Sequence, residues 1–249
     1  MKALHILTLF IVVSLIAGSC SKSNSSPDAF KDSGTTGIGG SLARFTIVND
    51  HLFTVSDRQL SVYDITQANN PTLKSKKEIG FGVETIFPYG DNLFIGTQTG
   101  MQILNVDQPT DPVLLSSFQH IRSCDPVVAN QKYAYITLRT DNFCTRGLNE
   151  LQILDVSDLL KPILVKSYTM IKPQGLALEG TNLFICDNVL KWYDVSDPQN
   201  LVSKGTFITN ATDLIVHNNI LMVIGTGGLS QYSYNTGEIK LISRIPTTL

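Results

Sequence analysis

Five polar side chains recur at equivalent positions along the chain, and they are the residues best placed to act together as a binding site. Each lies seven to nine residues before the first apolar residue that follows a polar turn. The five are Arg44, Glu84, Asp125, Gln174 and Asp213. Three carboxylates, a guanidinium and an amide could bind a small polar ligand or a partner segment if the fold gathers them. The alternative is that they only solvate one end of the fold.

The sequence lacks the motifs of the common enzyme classes. It contains no GxSxG, no HExxH and no P-loop. His120 is the only histidine that we expect near the five polar residues in the fold, and a lone histidine is usually structural. A metal site built from a cysteine and His120 is disfavoured, because no CxxC or HxxxH spacing accompanies them. We therefore predict no catalytic residue, no metal and no cofactor.

The N-terminus has the layout of an export signal. Lys2 is followed by an apolar run from Leu4 to Ile16, then by small residues and Cys20. This run is shorter than the roughly 20 residues of a membrane-spanning helix. A cysteine directly after small residues resembles a bacterial lipobox, in which the peptide is cut before the cysteine and its thiol is acylated. The sequence thus predicts a signal peptide at 1–19 and a lipid on Cys20; the alternative is an ordinary signal with Cys20 incidental.

Residues 20–41 predict a flexible tether between the lipid and a folded domain. Ser, Gly, Asn and Lys dominate this stretch, which has too little apolar surface to offset the entropy of ordering. Ser21 after the cysteine resembles Gram-negative lipoproteins that are sorted to the outer membrane. We therefore expect a cell-envelope protein held to the membrane through its N-terminal lipid.

Composition narrows the class of the remaining residues, 42–249. The formal charge of the 249-residue chain is -2, and no basic block is present, so we predict no nucleic-acid partner. Val, Ile, Leu, Thr, Tyr and Phe are abundant, and no stretch of a dozen residues has a 3.6-residue period. This composition predicts an all-β domain with one sizeable core.

An internal repeat of about 40 residues organises this domain. Its register marks are Asp64, Asn105, Asp155, Asp194 and Ser233, which are spaced by 41, 50, 39 and 39 residues. Each mark ends an alternating apolar strand, which a polar hairpin precedes and a further strand follows. Four strands per repeat predict a β-propeller of five four-stranded blades.

Two of the repeats resemble a known family. The segments LQILDVSD, from Leu151, and LKWYDVSDPQNL, from Leu190, are similar to LVIVD repeats. These repeats occur in exported β-propeller proteins, many of them lipoproteins of Bacteroidetes-type bacteria. The resemblance extends over residues 43–249 and implies a fold and an envelope location, but it implies no reaction.

The predicted β-propeller fold places the five polar residues where the innermost strands begin, on one face of the ring. Blade three has the longest spacing, and its extra residues from Arg139 form a loop on that face, which is either functional or a harmless insertion. Cys124 and Cys144 fall on this face of the same blade, so we predict a disulfide between them in an oxidising envelope. Cys186 lies in an apolar strand and is expected to be a small buried hydrophobe.

These observations predict a non-catalytic envelope protein that binds a protein or a glycan, or scaffolds an assembly, through this face. The alternative is an envelope enzyme or a solute-binding protein that acts on a sugar or polymer at the channel mouth. An enzyme of this kind would use carboxylates such as Glu84, Asp125 and Asp213, with a pair of them about 5–10 Å apart.

Overall fold

The computed structural model describes residues 39–120, 126–140, 148–207, 210–235 and 237–247, and these residues form twenty β-strands. The strands build five antiparallel sheets of four, each of which takes its strands in chain order. The sheets are the blades of a five-bladed β-propeller, which confirms the fold class predicted from the sequence. Within the described ranges, no helix has the length and apolar character needed to cross a membrane.

Each blade runs from an inner first strand to an outer fourth strand. Blade one contains β1 (Phe45–Val48), β2 (His51–Val55), β3 (Gln59–Asp64) and β4 (Thr72–Glu78). Blade two contains β5 (Val83–Tyr89), β6 (Asn92–Thr97), β7 (Gly100–Asn105) and β8 (Val113–Gln119). Blade three contains β9 (Val127–Ala129), β10 (Tyr133–Leu138), β11 (Glu150–Asp155) and β12 (Ile163–Thr169). Blade four contains β13 (Leu176–Glu179), β14 (Asn182–Cys186), β15 (Leu190–Asp194) and β16 (Val202–Phe207). Blade five contains β17 (Ala211–His217), β18 (Ile220–Gly225), β19 (Gly228–Ser233) and β20 (Lys240–Ile245).

The turn between the first two strands of each blade follows from local sequence. In blade five, Asn218 and Asn219 have φ angles of 50° and 58°, the left-handed pair that suits a tight hairpin. In blade three, Asn130 Oδ1 accepts hydrogen bonds from the backbone amides of Lys132 and Tyr133. These turns lie together at what we call the hairpin end of the propeller. The opposite rim, where the inner strands begin, is called the entry end.

The Asp at the end of the third strand caps the turn that leads to the fourth strand. Asp64 Oδ1 accepts hydrogen bonds from Thr66 Oγ1 at 2.6 Å and from its amide at 2.9 Å. These bonds hold the pKa of Asp64 at about 2. Asp155 and Asp194 accept equivalent bonds from the amides two residues further on, and their pKa values are also lowered. These three register marks of the repeat are therefore turn-forming residues.

The apolar core lies between blades. In the described residues it divides into four clusters, each of which joins two consecutive blades. The second strands of the middle three blades, β6, β10 and β14, are buried on both sheet faces, so their sequences are nearly continuous apolar runs. Trp192 packs between blades four and five, with its ring 5.4 Å from Phe184 and 5.7 Å from Tyr234. Cys186 is a fully buried free thiol in the same cluster, as the sequence indicated, and burial raises its pKa.

Candidate functional site

The structure describes four of the five polar residues that the sequence singled out. Arg44 is exposed, and its Nη2 donates a hydrogen bond to the carbonyl of Val83 in the next blade, at 3.1 Å. Glu84 and Gln174 are half-buried at the entry end. Asp213 lies at the same end, in β17. The remaining predictions on Cys20, Cys124, Asp125 and Cys144 fall outside the described residues and stay predictions.

Asp213 takes part in a junction with the segment that precedes blade one. Ser41 Oγ donates to Asp213 Oδ1 at 3.2 Å and accepts from the amide of Leu176 at 2.8 Å. The amide of Leu42 lies 3.4 Å from Asp213 Oδ2. Ser41 is fully buried although it stands at the last position of the predicted tether. One serine hydroxyl thus links the start of blade one to blades four and five.

Two glycines allow this junction to form. A Cβ on Gly40 would lie 2.3 Å from a carboxylate oxygen of Asp213, and a Cβ on Gly175 would lie 2.2 Å from the other. Desolvation by this close packing raises the pKa of Asp213, while hydrogen bonds to its carboxylate act in the opposite direction. The sequence presented Asp213 as a ligand-binding carboxylate, and the structure engages it in a contact between blades.

A cavity of about 610 Å³ opens at the hairpin end, among the inner strands of blades two to five. Its wall is mainly apolar, and Phe87, Val128, Leu176, Leu178 and Val216 line it. Its polar lining consists of Tyr89, Asn130, Gln131, Lys132, Glu179 and His217. Gly39, which precedes the junction at Ser41, also lines the cavity. This is the central channel of the propeller, entered from the side opposite to the predicted ligand face.

The charged groups at the cavity mouth differ in their partners. Glu179 Oε2 accepts hydrogen bonds from the amide of Asn219, at 3.1 Å, and from the hydroxyl of Tyr234. Burial, together with the Glu179 carboxylate, raises the pKa of Tyr234. Lys132 Nζ lies 5.1 Å from the centre of the Tyr133 ring. Glu179 is therefore held as an acceptor, whereas Lys132 presents a positive charge at an exposed mouth.

Sequence reasoning missed this cavity because it concentrated on the residues that begin the inner strands. None of the four described ligand candidates lines it. Lys132, Glu179 and His217 instead lie at or just beyond the ends of the inner strands, beside the hairpin turns. Alignment of the turn residues across the five repeats would have been the signal to use. Across the described part of the chain, no group of three His, Cys, Asp or Glu residues is placed to hold a metal ion.

Five antiparallel blades and a central channel define the class of protein as a β-propeller. Within it, residues 122–170 match the LVIVD repeat family model, in agreement with the resemblance seen in the sequence. No curated protein matches the chain.

Several solved propellers are similar in fold. A protein from Lactobacillus plantarum aligns with a TM-score of 0.62 and 12% identity, over 81% of this chain and 74% of that one. A periplasmic gluconolactonase of Pseudomonas aeruginosa aligns with a TM-score of 0.60 and 11% identity, over 82% and 67%. BamB from Moraxella catarrhalis aligns with a TM-score of 0.58 and 14% identity, over 86% and 64%. At these identities the likeness is one of fold alone.

The Ser41 junction predicts that two serine-to-alanine substitutions lower the free energy of unfolding by different amounts. Ser41→Ala should lower the free energy of unfolding by about 1–3 kcal/mol, because it leaves the buried amide of Leu176 without its acceptor and removes one of the hydrogen bonds to the Asp213 carboxylate. Ser56→Ala, in an exposed turn where the hydroxyl bonds only locally to Gln59, should cost less than about 1 kcal/mol. Urea unfolding monitored by circular dichroism measures both. Equal costs would contradict the assignment of Ser41 to a structural junction.

Proposed function

We propose that this protein is a non-catalytic binding module that takes a ligand, or a side chain of a partner, in the central cavity at its hairpin end. The cavity itself carries this proposal. Its volume of about 610 Å³ falls within the roughly 300–1,000 Å³ of small-molecule sites, and it combines an apolar wall with a few convergent polar groups. The blades that form the wall are held by buried interblade cores, so the site is largely preformed.

The lining favours an amphipathic ligand with an anionic group. Phe87, Leu178 and Val216 offer an apolar surface inside, whereas Lys132 stands at the mouth. A ligand with an apolar body would displace water from the wall, and its anionic group would reach Lys132. His217 and Gln131 add hydrogen-bonding groups at the same mouth.

The rival function is hydrolysis of a sugar or polymer. Solved propellers of similar fold include a gluconolactonase and BamB, so the fold alone accommodates either reading. Hydrolysis with two carboxylates needs an acid and a base about 5–10 Å apart. Glu179 is the carboxylate among the described lining residues, and it already accepts bonds from Asn219 and Tyr234. This engagement favours binding over acid–base catalysis.

The cavity predicts selective binding of an amphipathic anion, for which anilinonaphthalene sulfonate is a fluorescent probe. Leu178→Trp should reduce the fluorescence increase, because the larger indole takes up part of the space that the probe would occupy. Leu160→Trp, the same change at a side chain that is 67% exposed outside the cavity, should leave it intact. Lys132→Ala should weaken binding by up to about fivefold, the size of an exposed charge contact, and Lys161→Ala should not.

Fluorescence titration of the full chain and the four variants measures these effects. Retention of full probe binding by Leu178→Trp would place the bound dye elsewhere on the protein and would remove the support for a cavity site. Turnover of a sugar lactone or glycan, lost on Glu179→Gln, would replace the binding proposal with the enzymatic one.

We further propose that the propeller is held at the cell envelope by a lipid on Cys20. The support is the sequence alone: an apolar run of export-signal length, small residues and then a cysteine. Several acyl chains on one terminus anchor a protein durably, whereas one chain binds only marginally. A ligand site on a tethered propeller would then meet envelope proteins or glycans.

The lipid proposal predicts that replacing Cys20 changes the cell fraction in which the protein is found. In a Gram-negative host, Cys20→Ser should move the protein from the membrane fraction to the soluble fraction and abolish its labelling by palmitate. Cys186→Ala removes a buried thiol far along the chain and should leave both properties unchanged. Membrane retention and undiminished labelling of the Cys20→Ser variant would contradict acylation at this residue.

A further inference from the structure

Consecutive blades pack against each other in the same way throughout the ring, as the side-chain orientation in their second strands shows. The third residue of the second strand points toward the following blade, and the second and fourth residues point toward the preceding blade. Thus Phe53 contributes to the core between blades one and two, and Leu93 and Ile95 of blade two complete it. We call the first kind of surface the outgoing face of a blade and the second kind its incoming face.

The outgoing face of the first four blades carries a large aromatic side chain at this position. These are Phe53, Phe94, Tyr135 and Phe184, each at most 1% exposed. Each belongs to the cluster that its blade shares with the next one. A repeat of this kind buries its sheet only through its neighbours, so every outgoing face needs an incoming face.

Blade five has an apolar outgoing face that no further blade among the described residues covers. Met222 takes the place of the aromatic residue, and Ile220 and Ile224 flank it in β18. Ile224 is 52% exposed and Ile220 is 37% exposed. By contrast, Leu221 and Val223 of the same strand are buried against blade four. Blade five is therefore packed on one side of its sheet and open on the other.

Blade one is open on the opposite side. Its incoming face holds Phe45 and Ile47 of β1, which are 62% and 36% exposed, and Leu52 and Thr54 of β2, which pair with them. Thr46 and Val48 alternate with the exposed pair and are buried. The blades that the structure describes thus leave one outgoing face and one incoming face without a packing partner.

These two faces do not pack against each other within one molecule. Inner strands pack in consecutive pairs from β1 to β17, but within the described ranges no comparable packing joins β17 to β1. The connection between blades one and five runs through the segment before β1, where Ser41 and Leu42 meet Asp213. A seam therefore remains between the first and last blades.

We propose that this seam is the site of self-association, in which blade one of a second copy packs its incoming face on the outgoing face of blade five. We choose a second copy as the partner because its blade one offers the same kind of surface that blade faces meet at the interfaces within the chain. Four interfaces between the described blades join an outgoing to an incoming face, and the two faces that these interfaces leave over are one of each kind on the same molecule. The contact is head-to-tail, so copies form a closed ring or a longer array according to the angle between them.

The expected interface is apolar and close to the channel. Ile224 and Met222 of one copy meet Leu52 and Phe45 of the other, as second and first strands meet at the internal interfaces. Gln231 lies on the same face of blade five, and its Oε1 accepts a hydrogen bond from Ser243 Oγ at 3.0 Å. This oxygen therefore keeps a hydrogen-bond partner when the face is buried in the contact. The proposal is independent of the cavity and of what the cavity binds.

Sedimentation velocity of the full chain over a range of concentrations tests the proposal. The chain should associate reversibly into dimers or larger species. Ile224→Lys and Phe45→Lys should each weaken association by roughly tenfold or more, because a lysine would lose its hydration in the apolar contact. Ile163→Lys is the matched control, since Ile163 is 56% exposed in the outer strand of blade three and lies away from the seam.

Mixing the two blocked variants distinguishes a head-to-tail contact from any symmetric one. The Ile224→Lys chain keeps an intact blade one, and the Phe45→Lys chain keeps an intact blade five, so the mixture should form one-to-one dimers. A wild-type chain that stays monomeric at all concentrations would overturn the proposal. Association that both lysine variants leave unchanged, or that mixing fails to restore, would overturn it as well.

Discussion

A single blade of this protein exposes two apolar sheet faces, and neither can be buried without another blade. This constraint explains why Phe94 and Phe184 occupy the same position in their repeats and are almost completely buried there. It also explains why the second strands of the middle blades are continuous apolar runs, whereas β2 has one buried and one half-buried side and β18 has one buried and one largely exposed side. The pairing of blade faces thus determines the core, the channel wall and the two open faces.

The centre of the propeller depends on this pairing in a second way. Inner strands held by four interblade cores leave a channel whose hairpin end is a cavity, while its entry end is crossed by the segment that contains Ser41. Ser41 and Asp213 connect blades whose sheets do not pack together. The two ends of the channel therefore differ: polar groups at the entry end serve contacts between blades, and those at the hairpin end surround open space.

Much of the fold could be predicted from the sequence because short patterns of turn and strand residues recur along it. Turn residues such as Asn218 and capping residues such as Asp155 recur about once in 40 residues, with one longer interval in blade three, so the strand number and blade number follow. The role of Asp213 could not be predicted, since it depends on Ser41, which lies 172 residues away in a stretch with the composition of a linker. The cavity was missed for a related reason: its charged residues share only their position beside the hairpin turns, and they come together only through the ring.

Amide hydrogen exchange, read by mass spectrometry, tests most directly the claim that interblade pairing holds the structure together. Second strands buried on both faces, β6, β10 and β14, should exchange slowest, and β2 and β18, which have a neighbour on one side only, should exchange faster. The measurement should be made at low protein concentration, where the chain is monomeric. Protection of β18 equal to that of β14 would mean that the seam is packed within one molecule and would contradict the account.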